Sequence, residues 1–102
     1  MQMKKTGIEL IAEERHEQIE KHGRTVEKDI TDNRFNQLTD AAIMILQTDR
    51  HKMTPPSFWN ESVWNHMIDK KLKDRLIIAG ALIAAEIDRL QAGDEYNNVA
   101  QL

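Results

Sequence analysis

Apolar residues recur at helical spacing in three stretches of the chain. In the first, Ile8, Ile11, Ala12, Arg15 and Ile19 fall on one side of a helix and charged residues on the others. Thr6-Gly7-Ile8-Glu9 reads as a capping box, in which the Thr6 hydroxyl accepts from the Glu9 amide and Glu9 reaches back. Gly23 suits the residue just past a helix end, behind Lys21 and His22, whose charge complements the negative end of the helix dipole. The pattern predicts a helix from Thr6 to about His22. From Arg24 to Asn33 the chain is polar and aperiodic, which predicts a loop. A second stripe, Phe35, Leu38, Ala42, Ile45 and Leu46, predicts a helix from about 32 to 49, capped by Thr31 or Asp32 and fraying near Asp49.

Pro55 and Pro56 mark another loop, and the stretch from Phe58 to Met67 predicts a short helical turn. The third helix is expected from about Lys70 to Gln91, with Gly93 behind it and a frayed tail over 94–102. Between Leu76 and Ile87 it is apolar nearly all round, the mark of burial on more than one side. Ala79, Gly80, Ala81, Ala84 and Ala85 let other helices approach closely. No strand pattern and no repeat is present. The expected fold is therefore all-α, a single domain over 1–102 made of three main helices. Two helices are too few to cover the third, so the bundle is expected to be completed by a homo-oligomer, a dimer in the simplest case.

Composition narrows the classes. A chain of 102 residues has room for one domain. With 14 Lys and Arg against 17 Asp and Glu, a net charge of −3 argues against a nucleic-acid coat, which needs a concentrated basic surface. There is no Cys, which rules out disulfides, thiol catalysis and Cys-ligated zinc. The longest apolar run, Leu76 to Ala85, is far short of the roughly 18 residues of a membrane span. The first residues lack the apolar core of a signal peptide, so no membrane association and a cytoplasmic location are expected.

The acidic residues of the first helix carry the most chemical information. Glu13, Glu14 and Glu17, with Glu20 beyond, place carboxylates three and four residues apart on one face. Such neighbours repel each other by about a few tenths of a kcal/mol unless a cation lies between them. Mg²⁺, a hard ion that prefers oxygen ligands, suits the arrangement. A solvated acidic face, balanced by Arg15 and Lys21, is the alternative. Gln37 and Asp40 form a polar pair at i, i+3 on the second helix, and Ala41 and Ala42 allow close approach there. A carboxylate at Asp40 facing the first helix across Mg²⁺ would make a triphosphate site.

Glu13-Glu14-x-x-Glu17 followed by Gln37-x-x-Asp40 resembles the Glu-Glu-x-x-Glu … Glu-x-x-Asp signature of the MazG-like, all-α nucleoside triphosphate pyrophosphohydrolases. A longer likeness takes in Ala12 to Arg15, Gln18, Gly23, Glu27, Asp29, Gln37-Leu38, Ala41-Ala42, the Trp59 to Trp64 region and Ala79 to Leu90. Over roughly 7–91 the chain is similar to a family of small proteins of bacteria and their phages described as MazG-like. The resemblance implies Mg²⁺-dependent cleavage of a nucleoside triphosphate to monophosphate and pyrophosphate. It implies Glu14 and Glu17 as metal ligands from the first helix and Asp40 from the second, with Glu13 a further ligand or the group that orients the attacking water. The metal would polarise the phosphoryl oxygens and acidify that water. The first carboxylate of the second motif is replaced by Gln37, an uncharged ligand that weakens the metal set. That departure favours a second reading: a helical module that binds or sequesters a nucleotide, or a nucleotide-derived signal, without turnover. A helical interaction protein with no small-molecule site is the third.

Other features each have two readings. Lys70, Lys71, Lys73 and Arg75 form a basic run that is either solvated or meets phosphates, with Lys71 and Arg75 the candidate substrate contacts beside Gln37. Glu86 closes an apolar run, so it needs a partner, Arg75 or Arg89, in a structural ion pair or in a group that orients a ligand. Trp59 and Trp64 either anchor a core or interface or stack a base. His16, His22, His51 and His66 lack zinc-ligand spacing and read as surface residues.

Overall fold

The computed structural model of the chain describes residues 4–100, with side chains over 4–93. Among these residues all the regular structure is helical: α1 (Gly7–Glu20), α2 (Val26–Asp32), α3 (Gln37–Ile45), α4 (Glu61–Ile68) and α5 (Leu72–Ala100), with a 3₁₀ turn at Arg50–Lys52. The all-α expectation is met.

The start of α1 follows its sequence signal. The Glu9 amide donates to the Thr6 hydroxyl at 3.2 Å, and the Thr6 amide donates to the Glu9 carboxylate at 3.1 Å. At its end Gly23 takes a left-handed conformation (φ 65°), which a side chain would disfavour. The amides of Gly23 and Arg24 then turn back to the carbonyls of Ile19 and Gln18, at 3.2 and 2.9 Å.

Three expectations need correction. The segment read as a loop contains α2, capped by the Thr25 hydroxyl. Its inward residues are Asp29 and Asn33, both buried and polar, so no apolar period announces it. The next helix begins at Gln37 rather than at Asp32, after Asn36 in a left-handed conformation (φ 67°). Phe35, placed in its stripe, lies outside the helix and is 63% exposed. It stops at Ile45, and Asp49 instead caps the 3₁₀ turn. The long helix starts two residues after Lys70 and continues through Gly93 to Ala100. Residues 101 and 102 of the predicted tail lie outside the described residues.

Helix α5 is the common support, with α1, α2 and α3 all packed on it. Its buried face, Ile78, Ala79, Leu82 and Ala85, meets Leu38, Ala41, Ala42 and Ile45 of α3 and the α4 residues Trp64, Met67 and Ile68. Trp64 is almost wholly buried and donates its indole N–H to the Met53 carbonyl at 2.9 Å. Arg75 holds the other end of α3 by donating to the carbonyls of Ile45 (2.8 Å) and Gln47 (3.3 Å). Three helices still leave an uncovered stripe on α5, where Leu72, Leu76, Ile83, Ile87 and Leu90 are each about half exposed. No helix among the described residues is long and apolar enough to cross a membrane.

Helix α1 packs tightly on α5 at Gly80, where an added Cβ would stand 2.5 Å from Ile11 Cδ1 and 2.8 Å from its Cγ1. Around Gly93 nothing lies within 4 Å. Gly80→Val should therefore destabilise the chain by about 1–3 kcal/mol through overpacking. Gly93→Ala should stabilise it by about 0.5–1 kcal/mol by removing a helix-interior glycine. Urea unfolding of both variants tests this, and equal effects at the two positions would contradict the packing described.

Candidate functional site

Glu13, Glu14 and Glu17 are brought together on α1, but against the start of α5 rather than against α3. They line a cavity of about 210 Å³ with Lys70, Asp74, Leu10, Ile77 and Ile78. Glu13 pairs with Lys5, and Glu17 lies 3.7 Å from Lys21, the i, i+4 pair of a solvated helix face. Glu14 is half-buried. Burial pushes its carboxyl above the usual carboxylate range and the neighbouring Glu17 adds to this, while Gln18, Lys70 and His22 pull it down. Asp40 is exposed on α3 and does not line this cavity. The inward face of α3 is taken by Gln37, Leu38, Ala41, Ala42 and Ile45. Among the described residues, no three His, Asp or Glu side chains stand together in a group able to hold a metal ion.

The three expected substrate contacts also have definite places. Gln37 is 2% exposed and latches the turn between α2 and α3. Its Oε1 accepts from the Phe35 amide at 2.7 Å, and its Nε2 donates to the Asp32 carbonyl at 3.4 Å. This job needs a donor and an acceptor on one side chain, which an ionised glutamate lacks. Arg75 is engaged with the carbonyls of Ile45, Gln47 and Lys70. Lys71 is exposed in the turn leading into α5. Glu86 takes Arg89 as its ion partner and accepts from the Thr39 hydroxyl. Burial alone would raise the Glu86 carboxyl, but these two partners outweigh it and hold it below the usual range.

A second polar constellation, centred on the turn after α1, is the more enclosed. Arg15 is 8% exposed and donates to the Arg24 carbonyl at 2.9 Å. Its other terminal nitrogen stands 4.0 Å from Asp29 and 3.5 Å from Asp88. Asp29 accepts from Asn33 at 2.8 Å, and Asn33 accepts from the Trp59 indole N–H at 2.8 Å. The second Asp29 oxygen has no hydrogen-bond partner. Burial raises the Asp29 carboxyl above its ordinary value, against the lowering effects of Asn33, Arg15 and Arg24. The Arg24 guanidinium lies over the Trp59 ring, 5.0 Å from its centre.

Compared with models of protein families, with curated proteins and with solved structures, the chain matches none.

This constellation borders a cavity of about 280 Å³ lined by His22, Arg24, Lys28, Asp29, Asn33 and Trp59, among others. A second cavity of about 230 Å³ shares His22, Arg24 and Val63 with it and runs on to Glu14, Gln18, His66 and Lys70. Glu14, Lys70 and Ile78 in turn belong to the acidic cavity. Shared lining residues place the three cavities side by side in a trough, with Trp59, Arg24, Lys28, Asp29 and Asp32 at one end and the α1 carboxylates at the other. Sequence reasoning missed Arg24, Asp74 and His66 as lining residues. Arg15 and Gln18, at i, i+3 on the apolar side of α1, were the available signal that this side buries polar groups.

The crowding of Glu14 has a stability consequence. Its folded carboxyl titrates above the unfolded reference of 4.5, so the ionised form is disfavoured in the native state at neutral pH. That penalty is lifted as the pH falls through the folded value. In metal-free buffer Glu14→Gln should be more stable than the parent at pH 7.5, by about 0.2–0.5 kcal/mol for relief of the like-charge pair. The advantage should fade as the pH is lowered to 4.5. Urea midpoints at the two pH values check the sign.

Proposed function

We propose that this chain is a helical module that binds a nucleotide, or a nucleotide-derived ligand, in the trough between α1, α2 and α4. The observation that carries the reading is the cavity at Trp59, where an aromatic ring, the Arg24 and Lys28 cations and the buried Asp29 carboxylate converge. A base is held by stacking and by single directed hydrogen bonds, and its phosphates by cations, so these groups match the ligand class. A volume of about 280 Å³ is at the lower edge of ligand pockets, enough for one base or nucleoside. The engagement of Gln37 in a turn favours binding over turnover, because the resembling family has a carboxylate at that place.

One observation favours the MazG-like hydrolase as a second reading. Glu14 and Glu17 crowd each other at the far end of the same trough, where a divalent cation would relieve their repulsion. With Mg²⁺ bound there, Glu14 and Glu17 would hold the ion and Glu13 would orient water for attack on a phosphoryl group.

Calorimetry against a panel of ribo- and deoxynucleotides, with and without Mg²⁺ and with pyrophosphate release followed in parallel, separates the two. Binding without release, lost in Trp59→Ala, is the expected result. Metal-dependent release abolished by Glu17→Gln would instead establish the hydrolase. No binding of any nucleotide would defeat both.

We also propose that a second copy of the chain covers the α5 stripe. Leu72, Leu76, Ile83, Ile87 and Leu90 recur at steps of four, seven, four and three, a spacing with which paired helices interdigitate. Light scattering should give a dimer or higher oligomer, and Ile83→Glu should shift it to monomer. A monomeric parent at micromolar concentration would refute this.

A further inference from the structure

The uncovered stripe of α5 has one basic end and one acidic end. Where α5 starts, Leu76 of the stripe also lines an open groove of about 610 Å³ between α5 and the start of α1. Leu10, Ile11, Leu76 and Ile77 form its apolar walls, and Lys4, Lys5 and Lys73 its rim. The nearby carboxylates are engaged elsewhere: Glu9 in the α1 capping box, Glu13 with Lys5, and Asp74 at the acidic cavity. The far end of the helix is the reverse. From Leu90 to Leu102 the sequence holds two acids, Asp94 and Glu95, and no base. The backbone stays helical to Ala100, so position 94, eleven residues after Ile83, falls on the same face as the stripe.

The stripe is self-complementary about Ile83. Leu76 and Leu90 stand seven residues before and after it, and Leu72 and Asp94 eleven. Two copies of α5 crossing antiparallel at Ile83 therefore set Leu76 against the partner subunit's Leu90. The turn carrying Lys73 then lies beside Asp94 of the partner subunit. Parallel copies would instead bring the two lysine rims together at one end and the two acidic ends together at the other, with the helix dipoles aligned. We propose that the second copy docks antiparallel in this register, so that the acidic end of each α5 closes the lysine-rimmed groove of the other copy. Both grooves are filled at once, as two-fold symmetry requires. The inference rests on the second-copy reading for the existence of the dimer and adds its direction and its contacts.

The chain has no Cys, so introduced thiols report the register. Leu76→Cys, Leu90→Cys and the double variant are each treated with a short bismaleimide. In the antiparallel dimer identical positions lie fourteen residues apart along the axis, about 21 Å at 1.5 Å per residue, beyond the reach of the reagent. The double variant should therefore give a cross-linked dimer, and neither single variant should. Cross-linking of Leu76→Cys alone would show parallel copies, which overturns the proposal and leaves the second-copy reading standing. Dimeric variants with no cross-link in any of the three would overturn it as well. A monomeric parent in light scattering would defeat both. A second arm leaves the apolar stripe intact. Lys73→Glu and Asp94→Lys should each weaken self-association about tenfold, since two symmetry-related rim pairs are lost, and the two together should restore it. Failure of the double charge swap to restore association would refute the pairing even if the cysteine variants do not associate.

Discussion

The Arg15 guanidinium is the polar junction on which the rest of the molecule is arranged. It rises from α1, donates to the Arg24 carbonyl just past the end of that helix, and faces Asp29 of α2 and Asp88 of α5. A buried charge of this kind adds little net stability, because desolvation offsets much of the attraction. Its effect is on position. Leaving either Arg15 or Asp29 without its counter-charge would cost about 3–5 kcal/mol, so arrangements that separate α1 from α2 are disfavoured. From Asp29 hydrogen bonds run through Asn33 to the Trp59 indole, which fixes the loop before α4 against α2. One side chain thereby sets three walls of the trough.

The apolar half of the structure follows a different rule. Helix α5 carries Ala79, Gly80, Ala81, Ala84 and Ala85 where α1 and α3 press against it, and larger residues where there is space to fill. Close approach brings Arg75, Thr39, Glu86 and Arg89 into the seam between α3 and α5, and these four find partners. Arg75 closes the carbonyl end of α3, and Thr39 and Arg89 share the Glu86 carboxylate. These cross-links hold α3 on the flank of α5, where Asp40 remains exposed. The spatial separation of Asp40 from the α1 carboxylates is thus a result of which residues α3 buries, not of its distance along the chain.

The trough joins features that in sequence look unrelated: a tryptophan in the loop before α4, an arginine after α1, a lysine in the turn before α5, and the carboxylates of α1. The proposed recognition of a base and phosphates would use its aromatic and cationic end, and the metal-dependent reading would use its acidic end. Gln37 bears on the choice between these. It is buried, makes bonds through both ends of its amide, and stabilises the turn that brings α2 and α3 together. A residue engaged in that way is unsuited to ligating an ion.

By itself the sequence determined the helical class, the capped start of α1, its turn at Gly23 and the close-packed character of α5. Each depends on a local signal: a hydroxyl three residues before a glutamate, a glycine where φ is positive, a run of small residues with helical period. It also put Glu13, Glu14 and Glu17 on one face, because side chains three and four residues apart must share one. Only the tertiary structure decided what that face meets. Helix α2 was illegible because its buried side is Asp29 and Asn33, which look like loop residues until Arg15 and Trp59 are seen beside them. The start of α3 was misplaced because Asn36 opens it from a left-handed conformation, with no side-chain cap for a sequence pattern to reveal. The trough was hidden for the same physical reason. A pocket joins residues far apart along the chain, and only long-range packing brings Gln18 and Arg24, at the end of α1, to His66 and Lys70.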